Sequence, residues 1–294
     1  MNNFSVVIPA YNAEDYLTEQ LEALLRGTVE VPEIIISDNG STDSTKNIAL
    51  SFSEKHKNIT YVDSGQRQGP NYARNRGIHA AKNDVILLCD ADDIVAETWA
   101  EKLVQALESA DVVGSGYYHY RFNEVSGRYE TGSASCEQPH VFNGRVYSLS
   151  CSMGMTRAAF AAVGGFDESY VGGHEEVDFC LRASAAGLAQ GWVAEPLIQY
   201  RQRLSARGLA RQSRLYGRTW VQLAENFSPE FDDQVPGLKL MLRKVLTAMP
   251  GSFLQRQRTW DQIRGFWWNV GVLEGVIRYR WLGGQPPRQV GAAR

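Results

Sequence analysis

The sequence predicts an α/β fold, in which a doubly wound, mainly parallel, Rossmann-like sheet is followed by a helical C-terminal region. Over the first 115 residues, short apolar runs rich in β-branched side chains alternate with amphipathic stretches of helical period. This is the rhythm of strands separated by single helices. After Tyr200 the pattern becomes helical throughout. We therefore place a boundary near residue 203, between an α/β domain (1–203) and a helical region (204–294).

The predicted strands of the α/β domain are apolar runs that end at proline or at polar residues. In chain order they are Phe4–Pro9, Ile34–Ile36, Ile59–Val62, Val85–Leu88 and Val112–Val113. Asn12 is expected to cap the first helix, which Gly27 ends; its apolar stripe is Leu17, Leu21, Leu24 and Leu25. The next helices are predicted through Ile48 and Phe52, from Gly69-Pro70, and from Trp99 to Leu107.

The rest of the chain is less regular until the helical region begins. Residues 116–148 indicate an irregular, partly antiparallel insertion rich in Tyr and Gly. Two helices are predicted next, near 157–163 and 175–186, and a longer one over 209–224. Residues 229–236 indicate a loop, two or three further helices follow, and the tail from 283 to 294 is expected to fray.

Composition and charge narrow the class of protein. No CxxC pair occurs among Cys89, Cys136, Cys151 and Cys180, so neither a disulfide framework nor a zinc site is expected. With no apolar run of membrane-spanning length and no signal-peptide pattern at the N-terminus, we expect a cytoplasmic protein. Residues 201–294 carry 16 Lys and Arg against 6 Asp and Glu. This favours an anionic partner, either a membrane surface or a substrate, rather than nucleic acid, for which no motif is present.

The first segment that indicates chemistry is Asp90-Ala91-Asp92-Asp93, directly after a predicted strand. If the chain stays extended there, Asp90 and Asp92 point to the same side. Paired carboxylates suit Mg²⁺ or Mn²⁺, which also takes phosphate oxygens from a substrate. A solvated acidic turn is the alternative, and it would be favoured for an isolated DxD. The position after a buried strand favours the metal.

The second segment runs from Gly173 to Arg182. On a helix Glu175, Asp178 and Arg182 share one face, whereas Glu176 points about 100° away from its neighbour. A carboxylate in the first helical turn beside a cleft can act as a general base. Ordinary acidity at a helix start is equally consistent with this segment alone. A third segment, Ser37–Asp43, offers polar side chains in a strand-to-helix turn.

Six motifs in order carry a resemblance to a known family. They are IPAYNAEDYL, SDNGSTDST, GPNYARNRGI, LLCDADD, GGFDE and HEEVDFCLRASAAG, spread from residue 4 to about 200. This order resembles the family-2 inverting glycosyltransferases, which have the A-type glycosyltransferase fold. The resemblance implies an enzyme that uses Mg²⁺ or Mn²⁺ and moves a sugar from a nucleotide diphosphate onto an acceptor hydroxyl.

The resemblance also implies a role for particular residues. Contacts to the nucleotide are implied for Pro9, Ala10, Tyr11, Asn12, Asp38, Asn39, Arg74, Asp90 and Ala91. Asp92, with Asp90, would hold the divalent ion. Glu176 would be the general base, and Glu175 and Asp178 would support it or meet the acceptor.

Two positions depart from the family's pattern. Asn39 stands where many members have a second aspartate that pairs with uracil. An amide can still hydrogen-bond a pyrimidine edge, so a UDP-sugar is favoured while dTDP- and GDP-sugars stay open. Glu176 stands where Asp is commoner, with one methylene more reach. The acceptor is open among a saccharide of a cell-surface glycan, a lipid-linked saccharide and a small molecule.

Two other classes of protein share parts of these patterns. A nucleotidyltransferase that makes nucleotide sugars has a similar sheet and acidic site, but IPAYNAEDY lacks the Gly-rich, Arg-bearing loop expected there. A non-catalytic carbohydrate-binding relative would have no need to keep Asp90, Asp92, Glu176 and Asp178.

The segment Trp260–Trp281 of the helical region combines tryptophans with flanking arginines. That composition suits the surface of an anionic membrane. Packing on the α/β domain or on a second copy in a homodimer is an equally weighted interpretation.

Overall fold

The structure is a computed structural model that describes residues 3–123, 128–136, 140–142, 144–201, 205–254, 260–284, 288 and 290. The chain divides into two compact units. The first comprises 1–168, 176–202 and 290–294, and the second comprises 169–175 and 203–289. The expected boundary at 203 falls outside the described residues, as does most of the 283–294 tail.

Strands and helices alternate through the first unit as the apolar pattern predicts. The strands are β1 (Phe4–Ala10), β2 (Glu33–Asp38), β3 (Ile59–Asp63), β4 (Val85–Leu88), β5 (Ile94–Val95), β6 (Val112–Asn123), β7 (Arg128–Ser135), β8 (His140–Phe142), β9 (Arg145–Tyr147), β10 (Met153–Thr156) and β11 (Gln190–Arg201). The helices are α1 (Leu17–Leu25), α2 (Thr45–Lys55), α3 (Pro70–Ala80), α4 (Trp99–Ala106), α5 (Arg157–Val163) and α6 (Glu175–Ala185), with α7 (Ala206–Asn226), α8 (Leu238–Leu254) and α9 (Trp260–Gly275) in the C-terminal part.

The main sheet has the order β3-β2-β1-β4-β10-β6-β11-β5 among the described residues, with β7 paired to β6. The pairs β1–β2, β2–β3, β1–β4 and β6–β11 are parallel, whereas β10 runs antiparallel between β4 and β6. The sheet is therefore mixed but dominated by parallel strands, and the predicted fold class is confirmed. Its parallel arrangement brings the carboxyl ends of β1, β2 and β4 to one edge.

Two apolar layers cover the sheet. Because side chains alternate along a strand, Val6 and Ile8 of β1 enter one core, while Val7 enters the other. The first core includes Leu21 of α1 and Trp99 of α4. The second includes helices α3, α5 and α6 through Ile78, Phe160 and Phe179.

Three local expectations were wrong. Asn12 does not cap α1, because that helix begins only at Leu17 and Asn12 adopts a positive φ of 49° in the preceding loop. The chain around Asp92 turns instead of staying extended. The strands β5, β10 and β11 were not predicted, because β5 has only two residues and neither β10 nor β11 contains a continuous apolar run.

In the second unit, α7 packs closely against α9 through glycines. A Cβ on Gly271 would lie 1.9 Å from the carbonyl oxygen of Arg214, and one on Gly217 would lie 2.2 Å from that of Trp268. Such distances require glycine, so the two backbones approach directly. Within the described residues, no helix has both the length and the apolar character needed to cross a membrane.

Candidate active site

The loops after β1 and β2 are joined by hydrogen bonds. Asn12 donates its backbone N–H to Ser41 Oγ at 2.9 Å, and its Oδ1 accepts from the backbone N–H of Thr42 at 2.9 Å. The positive φ of Asn12 is one that asparagine tolerates better than most residues. Tyr11, beside it, is 56% exposed. Pro9 and Ala10 end β1 underneath these loops.

Asp38 ends β2, and both oxygens of its buried carboxylate accept hydrogen bonds. Oδ1 accepts from the backbone N–H of Ser41 at 2.9 Å and from its hydroxyl at 2.6 Å. Oδ2 accepts from the hydroxyl of Tyr61 at 3.1 Å. Burial, followed by the charge of Asp38, raises the pKa of Tyr61 to about 12. Tyr61 therefore stays protonated and keeps donating at neutral pH.

Asn39 forms three side-chain hydrogen bonds to the backbone of the 64–69 loop. Both hydrogens of its amide are donated to backbone carbonyls, to Ser64 at 2.7 Å and to Arg67 at 2.8 Å. Its Oδ1 accepts from the backbone N–H of Gly69 at 2.7 Å. The buried amide thus fastens the 64–69 loop and has no hydrogen left to donate to a nucleobase.

One face of α3 explains the GPNYARNRGI motif. Asn71, Arg74 and Asn75 lie at helical spacings of three and four, and all three are buried. The two asparagines donate to the backbone carbonyls of Asp167 and Phe166, which fixes the GGFDE segment against the helix. Between them, Arg74 reaches Asp90 Oδ1 at 3.2 Å. Arg74 therefore couples α3 to the aspartates after β4.

The turn after β4 gathers three carboxylates. One oxygen from each of Asp90, Asp92 and Asp93 lies within 4.8 Å of the others. Asp93 is 1% exposed, and burial, followed by the charges of Asp92 and Asp90, raises its pKa well above the ordinary value. This close set of hard oxygens fits a divalent cation such as Mg²⁺ or Mn²⁺. Asp93 has no role among the sequence-based expectations, although it directly follows Asp92 in the chain.

Buried polar side chains from distant elements hold this turn. Gln20 of α1 donates to the backbone oxygen of Asp90 and accepts from the backbone N–H of Val95, both at 3.0 Å. Arg201, the last residue of β11, donates to Asp92 and Asp93. The sequence offered no signal for these contacts, because Gln20 and Arg201 lie at least 70 positions away along the chain from the residues they bind.

The acidic start of α6 has the predicted helical faces. Asp178 is fully buried and forms a two-pronged ion pair with Arg182, whose Nε and Nη2 lie 2.7 and 2.6 Å from Oδ2. Arg182 also donates to the backbone oxygens of Val163 and Gly165. Asp178 therefore anchors the helix to the GGFDE turn. Glu175 is buried and Glu176 is partly exposed.

The thiol of Cys151 is sensitive to two of the acidic segments. Its pKa is raised well above the ordinary value by burial and then by the charges of Asp93, Asp90 and Glu176. The charges of the Asp90–Asp93 turn and of Glu176 therefore both act on this one buried thiol.

Comparison with known proteins identifies the family of the chain. The sequence matches the description "Glycosyl transferase family 2" over residues 5–162, more than half of the chain. The chain belongs to glycosyl transferase family 2. The predicted family and the predicted enzyme class, glycosyltransferase, are therefore confirmed. The family match ends before α6, so it does not include Glu176.

Individual family members are similar over parts of this glycosyltransferase. GlyG of Streptococcus pneumoniae is 38% identical over 137 residues, which are 45% of each protein. The chain thus spans less than half the length of this relative. The amylovoran biosynthesis glycosyltransferase AmsB of Erwinia amylovora is 29% identical over 213 residues, 67% of this chain and 69% of AmsB.

Two solved glycosyltransferases share the fold over nearly the whole chain. TarS of S. aureus (residues 1–349, with UDP-GlcNAc) aligns with a TM-score of 0.58 and 17% identity over 96% of this chain and 92% of TarS. The mannosyltransferase PcManGT of Pyrobaculum calidifontis, with GDP-Man and Mn²⁺, aligns with a TM-score of 0.59 and 14% identity over 96% of this chain and 76% of PcManGT.

Proposed function

We propose that this family-2 glycosyltransferase transfers a sugar, with inversion, from a nucleotide diphosphate to an acceptor hydroxyl, with Mg²⁺ or Mn²⁺ as cofactor. The observation that carries the proposal is the cluster of carboxylate oxygens from Asp90, Asp92 and Asp93, whose charges act together with that of Glu176 on the buried thiol of Cys151. Carboxylates that can bind a metal ion, together with a separate carboxylate, suit a reaction in which a charged leaving group must be stabilised and a proton must be removed. The neighbours with UDP-GlcNAc and with GDP-Man and Mn²⁺ support a nucleotide-sugar donor.

In this proposal the two loops after β1 and β2 receive the nucleoside, and the turn after β4 receives the diphosphate. Tyr11 is exposed beside the first loop and offers a ring against which a base can stack. Asp90 and Asp92 hold the divalent ion. When bound, the ion neutralises charge that develops on the diphosphate leaving group. Arg74 pairs with Asp90 and keeps its carboxylate oriented.

Glu176 is the general base of the proposed reaction. It takes the proton of the acceptor hydroxyl as the oxygen forms its bond to the anomeric carbon. The bond from that carbon to the diphosphate oxygen breaks on the opposite face, and its electron pair leaves with the nucleotide. One displacement of this kind inverts the anomeric centre. Asp178 has a supporting role, because its carboxylate is committed to Arg182.

The contacts of Asn39 bear on which nucleobase the donor carries. Its amide hydrogens are already used within the protein, so recognition of the base falls to other groups in these loops. We propose a UDP-sugar, with dTDP- and GDP-sugars as alternatives. A thermal-shift screen with each nucleoside diphosphate and Mn²⁺ decides between them, because the ligand that binds the folded state best raises the melting temperature most.

The central test is the variant Glu176→Gln, assayed for donor hydrolysis and transfer with Mn²⁺ or with EDTA. We expect turnover to fall by ~10²-fold or more for a lost general base, with donor binding nearly unchanged. Asp178→Asn is the matched comparison on the same helix; it should lower the melting temperature more than Glu176→Gln does. If only Asp178→Asn were inactive, Glu176 would be the wrong base. Donor binding without any turnover in the wild type would favour the non-catalytic relative.

We also propose that the second unit rests on an anionic membrane surface. Helix α8 carries exposed leucines together with basic residues and has no Asp or Glu. The residues are Leu240, Leu242 and Leu246, with Lys239, Arg243 and Lys244. Apolar side chains beside lysine and arginine favour the interface of an anionic bilayer. A lipid-linked acceptor or a cell-surface glycan would then share that surface with the enzyme, and the biosynthetic name of AmsB supports such a pathway.

The predicted membrane segment 260–281 is partly buried in the structure. Phe266 and Val272 of α9 are buried, whereas Trp281 and Leu282 beyond it are 71% and 74% exposed. The two ends of the segment therefore contribute to the proposed surface, since Trp260 at its start is also 48% exposed. Co-sedimentation with anionic vesicles at low salt tests the proposal, with Lys239→Glu/Arg243→Glu against the exposed pair Lys55→Glu/Lys57→Glu as control. A wild type that stays in the supernatant and elutes as a dimer would assign this face to a homodimer.

A further inference from the structure

Arg201 is the last residue of β11 and has no role in the reaction as proposed so far. Its backbone N–H donates to Asp93 Oδ1 at 2.8 Å, and its Nε donates to the backbone oxygen of Asp92 at 2.8 Å. Its Nη2 lies 2.8 Å from Glu19 Oε2. One residue thus binds two consecutive aspartates of the acidic turn from more than 100 positions away along the chain.

The side chain of Arg201 is itself buried and in contact with two aromatic rings. It is only 7% exposed, and its guanidinium lies 4.6 Å from the ring centre of Tyr16 and 5.2 Å from that of Tyr120. Aromatic contacts of this kind stabilise a cation and fix the plane of its fork. Two rings and the carboxylate of Glu19, all outside the turn, therefore help to fix the position of the Nε donor.

We propose that Arg201 is a positioning residue that keeps Asp92 and Asp93 in the geometry required by the divalent ion. This inference rests on the proposed metal-dependent function. Three carboxylates within 4.8 Å repel one another, and in a flexible turn they would move apart. Nε of Arg201 fixes the backbone at Asp92, and the fixed positive charge beside it offsets the repulsion. The ion then meets ligands that are already in place.

The opposite end of β4, the strand that precedes the acidic turn, provides a matched control. Arg157 donates from Nη2 to the backbone oxygens of Ala81 and Asn83 at 2.6 and 2.7 Å, just before β4 begins. Arg201 and Arg157 are thus both arginines that hold backbone beside β4, one at each end. Substitution of either arginine is expected to lower the stability of the protein, whereas only substitution of Arg201 is expected to change its affinity for the metal ion.

The test measures Mn²⁺ affinity of the full-length protein, alone and with UDP, from the electron paramagnetic resonance signal of free Mn²⁺. We expect Arg201→Gln to weaken Mn²⁺ binding by ~10–100-fold, the range for residues that orient metal ligands. Arg157→Gln should keep the wild-type affinity even where its melting temperature falls. Arg201→Lys keeps the charge but not the fork, and we expect an affinity between those of the wild type and Arg201→Gln.

Each outcome bears on a different claim. If folded Arg201→Gln and Arg201→Lys both bind Mn²⁺ as the wild type does, Arg201 has no positioning role, while the proposed function stands. If Arg157→Gln weakens Mn²⁺ binding as much as Arg201→Gln, the effect belongs to stability and the inference is overturned. If the wild type binds no Mn²⁺ with or without UDP, the metal-dependent function itself fails. Should Arg201→Gln not fold, Arg201→Lys against Arg157→Lys decides the question.

Discussion

Two acidic turns follow parallel strands of the same sheet, yet they use their charges in opposite ways. In the turn after β2, the carboxylates receive hydrogen bonds from fixed donors nearby. Asp38 accepts from Ser41 and Tyr61, and Asp43 accepts from the backbone N–H groups of Thr45 and Glu14. In the turn after β4, three carboxylates lie against one another within 4.8 Å.

The difference teaches which acidic turn is built for structure and which is suited to a ligand. Hydrogen bonds to a carboxylate stabilise its charged form, and in the turn after β2 they hold the pKa of Asp43 below its ordinary value. Like charges at close range destabilise the charged form, and in the turn after β4 burial and the neighbouring charges raise the pKa of Asp93, although Arg74 and Arg201 also contact that turn. That turn therefore loses stability from the charge of Asp93. A divalent cation would reverse that loss. Substitutions in the two turns should therefore have opposite effects on stability and on activity.

The largest effect is expected for Asp92→Asn. Loss of a proposed metal ligand should lower transfer by ~10³-fold, several kcal/mol of transition-state stabilisation. The melting temperature without metal should not fall, because one of three repelling charges is removed. Transfer assays and thermal melts check both parts. Asp84→Asn, 95% exposed before β4, is the control with the same change in charge. An active Asp92→Asn enzyme, or full wild-type activity in EDTA, would contradict the metal hypothesis.

The next largest effect is expected for Asn39→Asp, in the turn after β2. An aspartate cannot donate to the backbone oxygens of Ser64 and Arg67, and two lost buried hydrogen bonds cost about 3 kcal/mol. For a chain of this size the melting temperature should fall by roughly 6–9 °C. The exposed Asn47→Asp on α2 is the control. Unchanged stability together with tighter UDP binding would show that this position reads the base after all.

The smallest effect is expected for Asp43→Asn and depends on pH. Burial tends to raise the pKa of Asp43, but hydrogen bonds from Thr45 and Glu14 outweigh it, so the pKa lies below its ordinary value. A carboxyl group with a lowered folded-state pKa contributes stability above its unfolded pKa, near 4, and loses it as the pH falls through the folded value.

The melting temperature of Asp43→Asn should therefore lie about 1–2 °C below that of the wild type at pH 7. The difference should shrink as the pH falls below about 4, where the wild-type carboxyl is also protonated. Thermal melts of both proteins between these pH values measure it. A difference that persists unchanged into acid would mean that the charge of Asp43 does not stabilise the turn.

Much of the first unit was predictable because its signals are local. Apolar runs fixed β1, β2, β3 and β4, and the turns that follow them carry the motifs. The pairing of Asp178 with Arg182 followed from helical spacing alone. The prediction that Asn12 caps α1 was wrong, because its side chain instead accepts a hydrogen bond from the backbone N–H of Thr42 in a neighbouring loop. A sequence pattern indicates that an asparagine will be used locally but does not identify its partner.

The sequence by itself determined the order of β1 to β4 and the helices between them, the family and the residue types of the acidic turns. These depend on apolar period and on motifs of a few adjacent residues. Only the tertiary structure decided that the amide of Asn39 binds the 64–69 loop and that Arg201 holds Asp92 and Asp93. The physical reason is distance along the chain. Hydrogen bonds and charge repulsion act across a few ångströms in space, between residues that folding brings together and no local pattern links.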